Sequence, residues 1–389
     1  MRVLLDFTAA IGDQTGVGNY TRLLTRALLA ARPKEALGLA AHVFRHSGWR
    51  REVSRALSGC PTAWRVLPNR LIPPRVVLEA NEHLGFPSVE TLFGTCDVFH
   101  GTNFLAPPGR RCRTVVTVHD LAFVRFAEEI PVPHRYRRYI EAAIDRADRV
   151  IAVSRTTADD VLSLFGTPAK KVVVVHEGAP ARLESLSESR FAEQRERLGI
   201  PERFYLYVGT LEPRKNLLRL IGAYRAAVGG RKDPPGLVLA GRTGWSARGI
   251  LRAIEEAGRE LPVRRLGFVP ERLRNSLYER CLAFVLPSVY EGFGLPLLEA
   301  FAAGAPAICS TGGALPEVAA DAALLVEPED EAALASALSR IAAEPGLCEE
   351  LSRRGRRRAA AFSWARAAEG TRAVYGDSAS ASREVRRDA

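Results

Sequence analysis

The string EGFGLPLLEAFAAG, at residues 291–304, combines residue types that could bind a polyhydroxylated ligand in this sequence of 389 residues. It follows the apolar run AFVLPS and predicts the start of a helix, with Pro296 in the first turn, where its missing N–H costs nothing. Gly292 and Gly294 allow a ligand to approach the backbone, and N–H groups at a helix start favour anions. Glu291 and Glu299 can accept hydrogen bonds from several hydroxyls at once.

The loop YVGTLEPRKN, at residues 207–216, places Arg214 and Lys215 side by side before a predicted helix. Two cations at a helix start oppose the helix dipole and are unfavourable unless an anion is present. Diphosphate suits them, because arginine offers a bidentate fork and lysine a point charge. An ordinary exposed basic turn is the alternative interpretation.

Further glycines and a histidine carry weaker signals. Gly16 and Gly18, in TGVGNYT, could offer backbone N–H groups to a phosphate, but a dinucleotide fingerprint requires a third glycine where Thr21 stands. His119 and Asp120 end the apolar run TVVTVHD, where a histidine can be structural or can face a ligand. The Gly-rich string STGGALPEV also suits backbone contacts.

Metal and disulfide chemistry find no support in the sequence. None of the six cysteines forms a C-x-x-C pair, so we expect reduced thiols rather than a zinc site or a disulfide framework. No Asp-x-Asp pair is present to hold a divalent cation on a nucleotide. We therefore expect no metal and no resident cofactor.

The composition excludes several classes of protein. With 47% hydrophobic and 25% charged residues, the chain has enough apolar material for packed cores and is not predominantly disordered. No window holds about 18 uncharged apolar residues, and the opening apolar run is too short for a signal peptide. We expect a cytoplasmic protein.

The charge is concentrated in two segments of a chain whose net charge is +11. Residues 30–75 carry nine Lys and Arg against two Glu, and the segment from residue 351 carries ten Arg against four acidic residues. Such segments attract polyanions: nucleic acid, an anionic membrane leaflet or phosphorylated substrates. Nucleic acid is disfavoured because the basic runs lack interleaved aromatics. An arginine-rich coding bias would give the same surplus without a partner.

Two series of buried-strand patterns predict two doubly wound α/β halves. The strands of the first half are predicted at 2–7, 39–44, 97–101, 113–119, 149–154 and 171–176, and those of the second at 204–209, 237–240, 264–268, 283–286, 307–309 and 323–326. We place the domains at residues 1–183 and 184–376, with a last helix that could pack on the N-terminal domain and a disordered tail at 377–389. A ligand site is expected in the cleft between the two halves.

These strings together make the chain resemble the retaining glycosyltransferases of family 4. That family has the GT-B fold, in which two Rossmann-like domains face each other and the donor site lies in the interdomain cleft. The resemblance covers about residues 1–376, and EGFGLPLLE is its most specific part.

The resemblance implies roles for individual residues. Glu291 would contact hydroxyls of the transferred sugar, Glu299 the nucleotide ribose and Lys215 the donor diphosphate, while His119 would lie near the 6-hydroxyl of the sugar. The candidate catalytic residues are Glu291, Lys215, His119 and Arg214. The remaining positions expected to bind substrates are Gly16, Gly18, Asp120, Gly209, Thr210, Gly292, Phe293, Gly294, Leu295 and Val269, the last in the candidate base-binding loop FVPERLRN.

One position departs from the family pattern. Many relatives carry Arg directly after the glycine of the VG-x-L loop, where this chain has Thr210. Arg214, four residues further on, could supply the missing charge.

The expected function is transfer of a mannose-like or glucose-like hexose from a nucleotide-diphosphate sugar to a saccharide acceptor, with retention at the anomeric carbon. The resemblance implies that the departing phosphate helps to deprotonate the acceptor. Cell-surface polysaccharide or glycolipid assembly is the expected setting. Two alternatives stay open: a nucleotide-sugar epimerase or hydrolase of the same fold, and a non-catalytic basic module that binds membranes or nucleic acid. A nicotinamide-dependent oxidoreductase is weakened by Thr21.

The basic segment also suggests where the acceptor is found. Its scattered apolar residues, combined with its charge, predict peripheral attachment to the anionic inner leaflet of the plasma membrane, and therefore a lipid-linked acceptor. A soluble acceptor is the alternative. The apolar residues of this segment are Phe44, Trp49, Trp64, Leu71 and Ile72.

Overall fold

A computed structural model of the chain describes residues 1–12, 16–31, 36–60, 66–128, 130, 133–180 and 183–385, with side chains to residue 377. It contains two compact units. The first comprises Met1–Glu177 and Trp364–Ala389, and the second comprises Gly178–Ser363. The boundary expected from the sequence lies a few residues beyond Glu177.

The described part of the first unit contains a seven-stranded parallel sheet in the order β3-β2-β1-β4-β5-β6-β7. Leu5 of β1 pairs with Leu39 of β2 on one side and with His100 of β4 on the other. The strands are β1 (Arg2–Asp6), β2 (Ala36–His42), β3 (Val66–Asn69), β4 (Val98–Gly101), β5 (Arg113–Val118), β6 (Arg149–Ala152) and β7 (Val172–Val174).

Helices cover this sheet, and its central strands are almost fully buried. The helices are α1 (Gly16–Ala30), α2 (Trp49–Ala56), α3 (Pro74–Leu84), α4 (Val89–Phe93), α5 (Ala122–Arg125), α6 (His134–Arg146) and α7 (Arg155–Phe165). The last helix of the chain, which runs from Trp364 to Val385, also belongs to this unit and packs against α1.

The second unit contains a six-stranded parallel sheet in the order β10-β9-β8-β11-β12-β13. Its strands are β8 (Phe204–Val208), β9 (Gly236–Ala240), β10 (Val263–Gly267), β11 (Ala283–Leu286), β12 (Ala307–Ser310) and β13 (Leu324–Val326). Its helices are α8 (Glu188–Leu198), α9 (Leu217–Val228), α10 (Arg248–Glu260), α11 (Glu271–Arg280), α12 (Leu295–Ala303), α13 (Leu315–Ala319), α14 (Glu331–Ala343) and α15 (Pro345–Ala361), so that the last helix, Trp364–Val385, is α16.

Both sheets confirm the prediction of two doubly wound α/β halves. In each sheet the strand order reverses at one place, between β1 and β4 in the first and between β8 and β11 in the second. Such topological switch points leave a crevice at the carboxyl ends of the two strands, where ligands bind in open α/β sheets. The loops that follow these four strands are therefore the places to look for function.

Two features differ from the sequence-based expectation. Strand β3 was not predicted, because Pro68 breaks its apolar pattern; β3 lies at the sheet edge, where a proline is tolerated. Helix α16 continues to Val385 and so extends into the segment from residue 377 that was predicted as a tail. The alternating Ala and Ser, followed by Arg and Glu, do not oppose helix formation.

Among the residues that the structure describes, no helix is both long and apolar enough to cross a membrane.

Candidate functional site

The switch point of the second sheet is formed by the loops after β8 and β11. The first loop ends in the short 3₁₀ turn Pro213–Lys215, and the second runs from Pro287 to the start of α12. Their backbones are tied together, because Val289 N donates to Arg214 O at 2.9 Å. The side chain of Asn216 adds a second tie by donating to Pro287 O at 3.1 Å.

Glu291 and Lys215 form the centre of this site. Lys215 Nζ donates to Glu291 Oε1 at 2.6 Å, and Ser288 Oγ donates to the same oxygen at 2.6 Å. Glu291 is only 8% exposed. A carboxylate buried to this degree is expected to have a charged partner, and here the partner is the predicted diphosphate-binding lysine.

Arg214 also lies in the cluster. Its Nη1 donates to Tyr290 O at 2.8 Å and to Glu291 Oε2 at 3.4 Å, and its Nη2 donates to Glu212 Oε1 at 3.0 Å. The guanidinium is therefore held in one position from two sides. Thr210, which stands where relatives carry arginine, is exposed, and its carbonyl accepts a hydrogen bond from Tyr207 Oη at 2.9 Å.

Two opposing effects set the ionisation of Glu291. Burial opposes the charged form of the carboxyl, but the charges of Lys215 and Arg214 and the hydrogen bonds from Lys215 and Ser288 outweigh it and lower the pKa to about 2. The carboxylate is therefore ionised at any physiological pH. It can accept hydrogen bonds from hydroxyls but cannot act as a general acid.

The predicted Gly-rich turn STGGALPEV supports the backbone of this loop. Ala314 N donates to Glu291 O at 2.8 Å. A Cβ on Gly312 would lie 2.4 Å from Val289 O, and one on Gly313 would lie 2.3 Å from Glu291 O. Gly313 also has φ +65°, a conformation that favours glycine. These glycines therefore allow two loops to pack closely, a role that differs from the ligand contact suggested by the sequence.

Helix α12 begins where the sequence predicts. Gly294 is its N-cap, with φ +103°, and Pro296 lies in its first turn. Phe293 is buried and packs edge-on against Phe362, and Gly292 and Gly294 are buried beside it, while Leu295 is half-buried. The predicted sugar-contacting segment is therefore a rigid turn that leads directly from Glu291 into the helix.

Glu299 has a separate set of partners on α11. Tyr278 Oη donates to its Oε2 at 3.2 Å, and Arg274 Nη2 lies 3.3 Å from its Oε1. Burial raises the pKa of Glu299, and the charge of Arg274 only partly offsets this effect. The pKa values of the two glutamates of the motif are therefore shifted in opposite directions.

Two further predicted positions lie at strand ends of the second unit. Gly209 directly follows β8, and a Cβ there would lie 2.6 Å from Tyr207 Oη. Val269 is buried and follows β10, where it lines a groove of about 740 Å³ together with residues of α8, among them Gln194 and Arg197.

In the first unit, His119 directly follows β5 and is clamped by its neighbours. Its Nε2 lies 2.8 Å from Thr102 O, and its Nδ1 lies 3.4 Å from Glu177 Oε1. The ring edges of Tyr20 and Phe104 pack against it. Because both ring nitrogens face protein acceptors, His119 contacts a ligand only if one of these contacts is given up.

The other predicted residues of the first unit lie at the starts of helices. Gly16 and Gly18 are in the first turn of α1, where Gly16 is exposed and Gly18 is buried; Thr15 lies outside the described residues. Asp120 is half-buried, and its Oδ1 accepts a hydrogen bond from Ala122 N at 3.1 Å.

Sequence reasoning missed four residues that position the candidates. Ser288 and Tyr278 hydrogen-bond the two glutamates, Arg274 pairs with Glu299, and Glu177 faces His119. Ser288 lies three residues before Glu291, so the motif itself could have drawn attention to it. Arg274 lies within the string FVPERLRN, which was interpreted from the sequence only as a base-binding loop. Tyr278 and Glu177 come from distant segments that no local pattern marks.

The described residues contain one group of three possible metal ligands, Glu79, Glu82 and His83 at the end of α3, and two of these side chains are exposed. Exposed acidic groups of this kind are common without a metal.

Comparisons with known proteins agree with this architecture. Residues 190–358 match the family described as Glycosyl transferases group 1, and residues 15–182 match Glycosyltransferase Family 4. The O-antigen chain mannosyltransferase B of Escherichia coli is 33% identical over 270 residues, which cover 69% of this chain and 71% of that protein. A D-inositol 3-phosphate glycosyltransferase of Salinispora arenicola (strain CNS-205) is 32% identical over 289 residues, covering 69% of this chain and 64% of the relative.

A solved structure shares the fold. The Anabaena protein HepE, crystallised in complex with UDP and glucose, matches with a TM-score of 0.72 over 97% of this chain and 99% of its own. Its sequence identity is 17%, so this likeness supports the fold alone.

Proposed function

The chain belongs to family 4 of the glycosyltransferases, and from that membership we propose that it transfers a hexose from a nucleotide-diphosphate sugar to a saccharide acceptor, with retention at the anomeric carbon. The observation that carries this proposal is the buried cluster of Lys215, Arg214 and Glu291 at the switch point of the second sheet. It combines two cations with a carboxylate that stays ionised.

The cluster matches the charges that develop during transfer. When the bond to the sugar breaks, negative charge grows on the leaving diphosphate, and preorganised cations stabilise it most effectively in a site of low water content. Lys215 and Arg214 would supply these cations and take the place of a divalent metal. Glu291 would then exchange part of its pairing with them for hydrogen bonds to sugar hydroxyls, and Glu299 would accept from the ribose.

The donor sugar is proposed from the chemistry of the relatives. A mannose-like or glucose-like hexose is proposed, and the mannose-like sugar has the support of a relative that is called an O-antigen chain mannosyltransferase. By the same likeness, we place the enzyme in the assembly of a cell-surface polysaccharide. No resident cofactor is needed for this chemistry.

A donor screen followed by product analysis tests the proposal. Nucleotide-diphosphate mannose and glucose donors with different bases should raise the unfolding temperature to different extents, because a ligand that binds only the folded state stabilises it. The best donor should then yield a product whose new linkage has the anomeric configuration of the donor, read by NMR. Donor consumption that is equally fast without acceptor would instead indicate the epimerase or hydrolase alternative.

We also propose that the first unit contacts an anionic membrane surface. Arg45, Arg50, Arg51 and Arg55 are all exposed on or beside α2. Leu71 is 88% exposed and Val76 is 54% exposed, at the start of α3. Leu71 and Val76 are each preceded by an exposed arginine, Arg70 and Arg75. Exposed apolar side chains next to cations are the pattern expected for binding to the interface of an anionic leaflet.

The apolar part of this surface differs from the one expected. Trp49 is only 7% exposed, because the apolar face of α2 packs into the unit, and Phe44 and Ile72 are half-buried. Trp64 lies outside the described residues. The apolar contact is therefore assigned to Leu71 and Val76 at the start of α3.

Co-sedimentation with vesicles tests the membrane contact. The wild-type chain should bind vesicles that contain anionic lipids at low salt and should dissociate as salt rises. Reversal of Arg45, Arg50, Arg51 and Arg55 to Glu should abolish binding and leave donor binding unchanged. A wild-type chain that stays in the supernatant at low salt would contradict the membrane contact and leave the transferase proposal intact.

A further inference from the structure

The switch point of the first sheet opens into a cavity of about 180 Å³. It lies between the ends of β1, β2 and β4 and the helices α3 and α6. Aliphatic side chains form much of its wall, among them Val77, Leu78, Leu105 and Ala143. This volume is below the ~300 Å³ of typical drug-sized pockets, so the cavity suits an occupant as small as one sugar ring.

Polar groups with unused hydrogen-bonding capacity face this cavity from the strand ends. Asp6 Oδ1 accepts from Thr8 N at 2.9 Å and Thr8 Oγ1 at 2.5 Å, whereas Oδ2 has no hydrogen-bond partner among the described residues. Within the same described set, the side-chain amide of Asn103 is likewise unpartnered. Both residues line the cavity and are half-buried.

A third polar residue lies deeper in the wall. Asn81 of α3 is 5% exposed, and its amide nitrogen donates to Val77 O at 2.6 Å. Its Oδ1 has no partner in the described part of the chain. Buried polar atoms in native proteins are usually hydrogen-bonded, so this oxygen is an exception, but its accessible area is below 1 Å² and it lies too deep in the wall to contact an occupant. The polar atoms available to an occupant are therefore those of Asp6 and Asn103.

The charge of the lining excludes an anionic occupant. Its charged side chains are the carboxylates of Asp6 and Glu82 and the guanidinium of Arg146. Burial lowers the pKa of His42, so its imidazole is neutral at pH 7. Among the described residues, the lining therefore has no surplus of cations to neutralise a phosphate, in a unit whose outer surface is basic.

From the cavity, its unpaired acceptors and its charge, we propose that this pocket binds one neutral sugar ring of the acceptor, with hydroxyls on Asp6 Oδ2 and Asn103 and the ring carbons against the aliphatic wall. The assignment rests on the proposed transferase function and narrows its acceptor to an uncharged saccharide rather than a phosphorylated sugar or polyol. It separates the two activities named by the relatives: an O-antigen saccharide fits this pocket, and an inositol phosphate does not.

Acceptor kinetics with matched variants test the assignment. The probes are methyl hexosides and disaccharides on one side, and hexose phosphates and inositol phosphate on the other. Wild-type enzyme should prefer the neutral acceptors by at least about tenfold in kcat/KM. Asp6→Asn should raise the acceptor KM roughly 5- to 30-fold, because a charge-assisted hydrogen bond becomes a neutral one, and should leave the donor KM unchanged.

A second variant removes the space rather than the charge. Ala143→Leu fills the cavity and should weaken the neutral acceptor at least tenfold, whereas Ala142→Leu, the same substitution one residue earlier on α6, should not. Asp97→Asn is the control for Asp6, since Asp97 also accepts a backbone N–H but precedes β4 at the opposite sheet edge. If Ala143→Leu fails to fold, Asn103→Ala is the alternative test variant, because Asn103 lies on a half-buried loop.

Each result decides the question. A preference for phosphorylated acceptors would overturn the assignment, and so would variants that behave like their controls. In either case, donor binding and transfer would still support the proposed glycosyltransferase function. Absence of donor binding and of transfer to both acceptor classes would instead mean that the proposed function itself has failed.

Discussion

Both units have a crevice at the switch point of a parallel sheet, but the two crevices differ in charge. In the second unit, the crevice at the ends of β8 and β11 gathers Lys215, Arg214 and Glu291 into a buried charged cluster. In the first unit, the crevice at the ends of β1 and β4 is a largely aliphatic cavity, whose described lining has unpaired acceptors and no surplus of cations. The topology fixes where a ligand can bind, and the loop side chains decide which ligand it is.

The charges of the proposed donor and acceptor explain why the two crevices differ. A nucleotide-diphosphate must be neutralised where it binds, and more so as its bond to the sugar breaks, so its unit needs fixed cations. An acceptor hydroxyl carries no charge until late in the reaction, so its unit needs shape and hydrogen-bond acceptors. If this comparison is right, variants of the charged cluster should affect donor chemistry far more than any variant of the cavity.

Lys215→Ala should have the largest effect. It removes a cation from the proposed diphosphate site and leaves Glu291 buried without its nearest partner, so we expect a loss of about 10²–10³-fold in kcat together with a lower unfolding temperature. Arg219→Ala is the control, since Arg219 belongs to the neighbouring helix α9 and donates to Pro328 O at 2.7 Å instead. Steady-state kinetics and thermal unfolding measure both effects. Wild-type turnover in Lys215→Ala would contradict the donor assignment.

Glu291→Gln should come next, with a loss of roughly 30- to 150-fold in kcat/KM, the value of a charge-assisted hydrogen bond of about 2–3 kcal/mol. Glu327→Gln is its control, because that exposed carboxylate also accepts from a hydroxyl, Thr311 Oγ1, at 2.8 Å. Unchanged transfer in Glu291→Gln would remove this carboxylate from the sugar site.

The pH dependence of the stability of Glu291→Gln provides a further test of the comparison. The pKa of Glu291 is lowered to about 2, so its ionised form stabilises the fold above the ordinary value near 4.5, and this contribution disappears as the pH falls from there to about 2. The difference in unfolding temperature between wild type and Glu291→Gln should therefore be largest near neutral pH and should shrink over this acidic range.

Glu299→Gln should cost less, about tenfold in donor KM, because it weakens one hydrogen bond to the ribose. Its effect on stability should have the opposite pH dependence. Burial raises the pKa of Glu299, so the protonated form stabilises the fold below the ordinary value and this contribution is lost as pH rises. Relative to wild type, Glu299→Gln should gain stability from pH 4 to 7, whereas Glu291→Gln should lose it. Parallel thermal unfolding curves check the sign.

The smallest expected effect is that of a chelator. Since Lys215 and Arg214 are proposed to hold the diphosphate, excess EDTA should leave turnover within about twofold. Loss of activity that magnesium restores would mean that a divalent cation, rather than these two side chains, carries the diphosphate charge.

The sequence predicts the second unit's site better than the first unit's. Lys215, Arg214 and Glu291 lie in short strings that the chain itself brings to adjacent strand ends, so a parallel sheet with a switch point is enough to assemble them. Even so, the partners of Glu299 come from α11, and their position depends on how that helix packs against α12. Local pattern cannot supply such contacts.

In the first unit, function depends on residues far apart in the chain. Asp6, Asn81 and Asn103 lie in three different segments, and none of them forms a motif, so the cavity could not be predicted. The interpretation of Trp49 failed for a related reason: its position in a basic segment suggested an exposed anchor, whereas the amphipathic pattern of α2 turns it inward. The pairing of His119 with Glu177 joins residues on two different strand-end loops.

Because α16 returns to the first unit, the second unit is fully synthesised before the first. Domains generally fold from the N-terminus as they leave the ribosome. Here the second unit is one continuous segment, Gly178–Ser363, and is complete before the first, which still lacks α16. Until α16 is made, His100 lacks the hydroxyl of Tyr375, 2.7 Å from its Nδ1, and Tyr20 lacks the ring of Trp364. The first unit therefore cannot complete its packing until the last helix has been synthesised.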